Sequence, residues 1–311
     1  MNNTKILDVT LRDGGYKTNF NFSPLLIANI LRVLDTARIP YIEVGYRNGS
    51  YKAIPEMGPS GYCDNDYLQY CRKFIHYSKL VVMCHPKNIP QNDFVEMKEC
   101  GVDSVRICFP IDNENSGYKS IERALKSGLD VFVNITRISR LSDHDLMQLV
   151  KKLSNYPLVA IYLADSNGSL TPEKIGQLYS NLIQITHIPL GFHAHDNLFL
   201  AQSNAISAIN CGATFIDASL FGIGKGAGNL RTEALVTYLS TDKNKDYDLC
   251  LLLEMAEKIN QDINQNFHSM KTKDIIMGIF DLSQDDMTHF LECKNAHDYY
   301  RKAEYMTRKL S

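Results

Sequence analysis

The sequence predicts an α/β fold: a (β/α)8 TIM barrel followed by a short C-terminal helical extension. Three observations lead there. Eight short apolar runs alternate with longer segments of helical pattern. Most of these runs are continuously apolar, as parallel strands buried on both faces must be. The repeat is about 30 residues long, the size of a βα unit. An open doubly wound sheet is the runner-up, because strand count alone does not close a barrel.

The elements follow in order. Strands are expected at Lys5–Thr10, Tyr41–Tyr46, Lys79–Cys84, Asp103–Cys108, Asp130–Ile135, Leu158–Leu163, Pro189–Ala194 and Thr214–Ser219. A helix over Pro24–Arg38 opens after Ser23, an N-cap residue with Pro at the first helical position. Pro172–Gln184 opens the same way after Thr171, and Leu198–Cys211 ends at Gly212, a C-cap position. Gly101 and Gly128 punctuate two other units in the same manner. The barrel is expected to span residues 1–241. Residues 242–311 read as a polar helical extension, joined by a linker around the KNKDYD stretch at 243–248.

Composition narrows the function classes. The 311 residues carry a net charge of −2, with 44% hydrophobic and 22% charged residues, so a general nucleic-acid binder with a basic face is not expected. No apolar run reaches membrane-spanning length, and no secretory signal is visible at the N-terminus. Eight cysteines form no C-x-x-C pair, and most lie in apolar stretches, consistent with reduced thiols in a cytoplasmic protein.

Chemistry is expected at the carboxyl ends of barrel strands. The first strand runs into Thr10-Leu11-Arg12-Asp13-Gly14-Gly15, a charged pair before two glycines. The seventh ends in His193-Ala194-His195-Asp196-Asn197. Residues i and i+2 of a strand share a face, so the two imidazoles converge. Asp13 is the natural third ligand. Two nitrogens, a carboxylate and open positions suit Mn²⁺, Mg²⁺, Fe²⁺ or Zn²⁺, and no thiolate points to a closed zinc site. After the eighth strand, Gly222, Gly224 and Ala227 also fit a dinucleotide fingerprint. That motif belongs in a first βα unit, and only Asp242 lies near the required acidic position. On the barrel reading, the glycines let the loop pass close to metal and substrate, with Asn229 offering an amide oxygen.

Together, TLRDG, HAHDN and GxGKGAGN resemble the DRE-TIM metallolyase superfamily, the hydroxymethylglutaryl-CoA lyase-like enzymes. The opening DVTLRDGGY is most similar to the 4-hydroxy-2-oxovalerate aldolase branch. The resemblance implies a divalent metal on Asp13, His193, His195 and Asn229, with Mn²⁺ foremost and Mg²⁺, Co²⁺ or Zn²⁺ as alternatives. It implies that Arg12 stabilises an enolate oxygen. The implied activity is an aldolase that cleaves or forms a 4-hydroxy-2-oxo acid through a metal-bound pyruvate enolate. Alternatives are a Claisen-type acyl-CoA/2-oxo acid condensing enzyme, or a non-catalytic metal-binding barrel.

One position departs from the family pattern. The aldolase branch carries a His three residues after the metal Asp, and this chain has Tyr16. A phenol has an ordinary pKa of about 10, so it makes a poor base at neutral pH. His85, after the third strand, is the candidate replacement base, and Glu43 matches a position near the metal, which makes it a catalytic candidate in a supporting or acid/base role. Asn134, Asp165, Gly224 and Lys225 join Arg12 as candidate substrate-binding residues. For Asn134, Asp165 and Arg106, structural support of the barrel is the competing reading. The expected partner is a small-molecule 2-oxo acid, with a homodimer as the open assembly state. With an extension of only about 70 residues, a dehydrogenase partner is not expected.

Overall fold

The computed structural model describes residues 4–240, 247–263, 272–293 and 295–308. Eight parallel strands close in sequence order: β1 (Lys5–Asp8), β2 (Tyr41–Arg47), β3 (Lys79–Cys84), β4 (Ser104–Cys108), β5 (Asp130–Ile135), β6 (Ala160–Asp165), β7 (Leu190–Ala194) and β8 (Ala213–Ala218). Closure is made by β1 on β8, where Leu7 faces Asp217 and Asp8 faces Ala218. The (β/α)8 barrel is therefore the architecture, and the open sheet is excluded.

A helix follows each strand: α1 (Pro24–Thr36), α2 (Asn65–Arg72), α3 (Asp93–Glu99), α4 (Glu114–Lys126), α5 (Asp143–Leu153), α6 (Pro172–Leu182), α7 (Ala201–Asn210) and α8 (Thr232–Leu239). The expected caps form. Ser23 Oγ accepts from Leu26 N at 3.2 Å, and Thr171 Oγ1 from Lys174 N at 3.4 Å. Several boundaries differ from expectation by one to three residues, and two of them have a visible cause. Helix α7 starts at Ala201 rather than Leu198, because Asp196 Oδ1 accepts from Ala201 N at 3.0 Å and Phe199 turns at φ 59. Strand β6 begins and ends two residues later, since its pairing with β5 starts at Ala160 opposite Phe132. Asp165 therefore belongs to the strand instead of following it.

The interior divides into two levels. At the amino end, Leu7, Val9, Val81, Phe132, Ala160, Tyr162 and Phe215 form an apolar plug. Phe132 and Phe215 meet edge to face at 5.5 Å. Above it the inward positions become polar, with Arg12, Glu43, Arg106, His193 and Asp217 all buried. Arg106 lies over the Tyr162 ring at 4.7 Å, so the charged layer rests directly on the aromatic floor. A separate shell of apolar residues packs the helices around the strands. Strand β2 breaks register between Glu43 and Tyr46, at Gly45, where an added Cβ would meet Ser60 O at 1.8 Å.

Beyond the barrel lie α9 (Leu249–Ile263), α10 (Thr272–Ile279) and α11 (Ala296–Arg308). Leu252, Met255 and Ile259 of α9 join the main core, whereas Ile276, Met277, Leu282, Phe290 and Ala303 form a small core of their own. The segment after α10 returns over the carboxyl ends of the strands. There Asp281 accepts from Ser139, Asn167 and Ser169, each at 2.8 Å. Residues 243–246 of the expected linker lie outside the described residues.

Candidate metal centre

Strand β7 delivers the two imidazoles as its alternation dictates. Phe192 points outward against Tyr179, while His193 and His195 point inward with their Nε2 atoms 3.3 Å apart. Asp13 sits on the turn after β1, where its N–H donates to Val9 O at 2.8 Å. One ligand atom from each of Asp13, His193 and His195 falls within 4.8 Å of the others, and all three residues are buried. The loop after β8 runs back along the end of β7, through Asp196 N to Gly228 O at 3.0 Å and Leu230 N to Ala194 O at 3.3 Å. That return puts Asn229 beside His195.

The polar contacts fit a divalent cation. His193 Nδ1 lies 2.8 Å from Asp217 Oδ2, and His195 Nδ1 lies 3.2 Å from Gly228 O. Both partners are acceptors, so each ring carries its proton on Nδ1. Two Nε2 lone pairs then face each other, an arrangement that a cation relieves. Asn229 Nδ2 donates to Asp13 Oδ2 at 2.7 Å, leaving the buried Asn229 Oδ1 without a partner among the described residues. Burial pushes the His195 imidazole down to about 4, against the pull of Asp13, so the ring is neutral at pH 7. Burial acts to raise the Asp13 carboxyl, but Arg12 and the two imidazoles hold it well below the ordinary carboxylate range. Imidazole nitrogens with an ionised carboxylate and an amide oxygen are donors for a first-row divalent ion or Mg²⁺.

Arg12 is fixed from two sides. Its Nη1 donates to Asp13 at 2.6 Å and its Nε to Glu43 at 2.5 Å. Its Nη2 is buried and has no hydrogen-bond acceptor among the described residues. Glu43 is fully buried and also accepts from Arg106 Nε at 2.8 Å and Nη2 at 2.7 Å. Arg106 Nη1 donates to Asp217 Oδ2 at 2.6 Å. A closed circuit thus runs from Asp13 through Arg12, Glu43, Arg106 and Asp217 to His193. Removing one member of such a buried pair typically costs about 3–5 kcal/mol. Glu43 does not line the cavity; it positions two arginines.

The cavity above the centre has a volume of about 880 Å³ and is lined by Arg12, Asp13, His193 and His195 at its base. Tyr16, His85, Asn134 and Lys225 also reach it. The Tyr16 hydroxyl lies 3.3 Å from that of Tyr46, and burial raises its pKa. Tyr46 stacks on His85 at 5.4 Å. Burial pushes His85 down to about 3, with Lys87 and Arg12 adding to the effect, which makes it a weak base. Asn134 Oδ1 is buried and unpartnered among the described residues. Lys225 passes its ammonium over the Tyr16 ring at 5.1 Å, and its backbone N–H donates to Asp13 Oδ2 at 3.4 Å.

Asp165, Gly224 and Asn229, like Glu43, do not line the cavity. The Asp165 carboxylate accepts from Ser169 N and Leu170 N, capping its own loop. Gly224 contributes space: a Cβ there would meet Asn229 Nδ2 at 2.3 Å. Sequence reasoning missed Asp217, Tyr46 and Asp285. Asp217 had a signal, a carboxylate inside an otherwise apolar strand on the same face as Phe215.

The HMGL-like family model matches residues 3–259. The chain belongs to the HMGL-like family. Relatives of this HMGL-like chain include the 4-hydroxy-2-oxovalerate aldolase of Geobacillus genomosp. 3, 31% identical over 256 residues, covering 82% of this chain and 76% of the relative. The oxaloacetate decarboxylase of Mycobacterium tuberculosis is 31% identical over 235 residues, 75% of this chain and 69% of that protein. The crystal structure of an N-terminal domain from Bacteroides vulgatus superposes with a TM-score of 0.82 at 28% identity, covering 93% and 97% of the two chains. The carboxyl transferase domain of Rhizobium etli pyruvate carboxylase shares the fold, with a TM-score of 0.69 at 17% identity over 83% and 46%. The expected membership of the DRE-TIM superfamily is borne out, and the chain is an enzyme of the lyase/aldolase class. Among the described residues no helix is long and apolar enough to cross a membrane.

Proposed function

We propose that this enzyme is a divalent-metal-dependent aldolase that cleaves or forms a 4-hydroxy-2-oxo acid by way of a pyruvate enolate. One observation carries the reading: three convergent ligand atoms share a cavity with a guanidinium nitrogen, Arg12 Nη2, that has no hydrogen-bond acceptor among the described residues and stands 4.0 Å from Asp217 Oδ2. Asp13, His193 and His195 would hold the cation, with Asn229 Oδ1 as a further donor and Mn²⁺ as the first choice among Mn²⁺, Mg²⁺, Co²⁺ and Zn²⁺. When bound, such an ion supplies a Lewis acid that polarises the 2-oxo acid.

The chain's own groups supply the rest. Arg12 presents Nη2 to the developing enolate oxygen, already locked by Glu43 and Asp13, so no reorganisation is needed as charge appears. The Tyr16 hydroxyl, kept protonated by burial, donates its proton to the alkoxide formed in addition, and the phenolate left behind regains a proton from solvent entering the cavity; cleavage runs the same transfers in reverse. Tyr46 holds that hydroxyl in place at 3.3 Å. Asn134 Oδ1 offers an acceptor to a substrate hydroxyl. The aldolase name of the Geobacillus relative supports this substrate class. A reducing, cytoplasmic setting is supported by eight free cysteines, four of them buried.

The test is incubation of the metal-loaded protein with pyruvate in D₂O, following the methyl protons by NMR. Metal-dependent exchange is expected. Replacing both His193 and His195 with Ala should abolish exchange and stoichiometric metal uptake together. Uptake retained by a folded double variant would remove the site assignment.

A further inference from the structure

The cavity is larger and more cationic than a five-carbon 2-oxo acid requires. At about 880 Å³ it lies near the upper end of the range for sites that enclose drug-sized ligands. Of the cations lining it, Arg12 pairs with Asp13 and Glu43, and Arg140 with Asp281 and Asp286, which leaves Lys52, Lys87, Arg137 and Lys225 against the lining carboxylates Asp112 and Asp285. This excess occurs in a chain whose net charge is −2, so it is local to the cavity. A cleft lined by one sign of charge concentrates ligands of the other sign.

One of those carboxylates shows where an anion sits. Asp285 comes from the segment that returns over the barrel. It accepts from Arg137 Nη2 at 2.9 Å and pairs with Lys52 at 3.4 Å. Its carboxyl is held below the ordinary range despite burial, by Lys225 and Lys52 and then Arg137. Arg137 is itself constrained: it stands at φ 57, and its N–H donates to Ser166 Oγ at 3.0 Å. A non-glycine residue in that conformation is strained, a condition that clusters at ligand clamps. Lys225 links the two ends of the cavity, with its backbone on the ligand Asp13 and its charge felt by Asp285.

We infer that the mouth of this cavity is an anion subsite, in which Arg137, Lys52 and Lys225 hold a carboxylate or phosphate on the acceptor half of the substrate in place of Asp285. The inference rests on the aldolase reading and adds the acceptor's chemical class: an aldehyde bearing an anionic group. The Asp285 pairs are suited to exchange. The Arg137 and Lys52 side chains are 49% and 64% exposed, and exposed pairs are weak and screened by salt. A guanidinium fork matches carboxylate and phosphate equally in geometry, so both anions belong to the class.

The experiment uses binding rather than turnover. The full-length metal-loaded protein is saturated with oxalate, a planar mimic of the pyruvate enolate, to occupy the metal end. Butyrate, propyl phosphate and the neutral butyramide are then titrated by calorimetry. At least one of the two anions should bind about tenfold or more tightly than butyramide, the scale of one charge-assisted hydrogen bond. The tighter anion identifies a carboxylated or a phosphorylated acceptor. Arg137→Ala should erase the preference. Asp285→Asn should tighten anion binding several-fold, a gain that misfolding cannot produce. Equal affinity for all three probes, or no gain in Asp285→Asn, would overturn the subsite. Pyruvate exchange in D₂O is read separately. Its absence, with the anion preference intact, would reject the aldolase reading while supporting the subsite.

Discussion

Asp217 Oδ2 lies 2.8 Å from His193 Nδ1 and takes a second hydrogen bond from Arg106 Nη1 at 2.6 Å on the same oxygen. One carboxylate thus sets the imidazole tautomer and also ties it to the Arg106–Glu43 pair beneath. Such carboxylate–histidine contacts raise ligand basicity, and losing one typically costs 10–100-fold in metal affinity.

Asp217→Asn should therefore weaken metal binding by roughly 10–100-fold. It should also lower the melting temperature, because Arg106 loses a charged acceptor. Metal titration with a chelator competitor, alongside thermal unfolding, checks both. Unchanged affinity would show that His193 needs no carboxylate behind it.

Arg12→Lys should cut the rate of pyruvate exchange by about a hundredfold, the value of one preorganised oxyanion donor. A lysine ammonium cannot reach Glu43, Asp13 and the substrate together as the guanidinium does. Metal stoichiometry should stay near wild type. A fully active variant would move the enolate-stabilising role to another group.

Tyr16→Phe keeps the packing against Phe20 and removes only the hydroxyl. The aldol rate should fall by about 10²-fold with the metal still bound. Since the phenol's pKa is raised by burial, no rate change attributable to Tyr16 ionisation should appear between pH 7 and its ordinary value near 10. Near-wild-type turnover would make Tyr16 a packed lid.

Gly224→Ala places a Cβ 2.3 Å from Asn229 Nδ2, and the amide must turn away. Its hydrogen bond to Asp13 is then lost. Metal affinity should drop by about tenfold with the circular dichroism spectrum unchanged. An unaltered affinity would show that Asn229 contributes little to the centre.

His85 carries a pH dependence of known sign. Its folded pKa, pushed down to about 3, lies below the unfolded value near 6.5. Only the unfolded chain takes a proton between these values, so stability is lost as pH falls from 6.5 toward 3. Asp8 and Asp165, pushed up to about 6 by burial, act oppositely and lose stability as pH rises from about 4 through 6. His85→Asn removes the first contribution alone. Its melting temperature should fall less than that of wild type between pH 6.5 and pH 4, and equal slopes would show that the imidazole protonates freely in the fold.

Local pattern alone determined the alternation of strands and helices, the capped starts at Ser23 and Thr171, and the pairing of His193 with His195. Each depends on residues a few positions apart, where side-chain periodicity and capping chemistry act directly. The candidate ligands were legible for the same reason, since they end strands whose direction was already set. Tertiary structure decided the rest. Arg106 meets Asp217 across 111 positions, and Asn229 meets Asp13 across 216. These contacts follow from the closure of β1 on β8 and the register of each strand, which no local period encodes. Closure turned Glu43 from a candidate acid into a clamp on two arginines and made Asp165 a loop cap. It also left an open cationic mouth, to which the polar C-terminal segment could return and set Asp285 beside Arg137. Composition marks that segment as helical and solvated. Only the packed barrel shows that it forms one wall of the cavity.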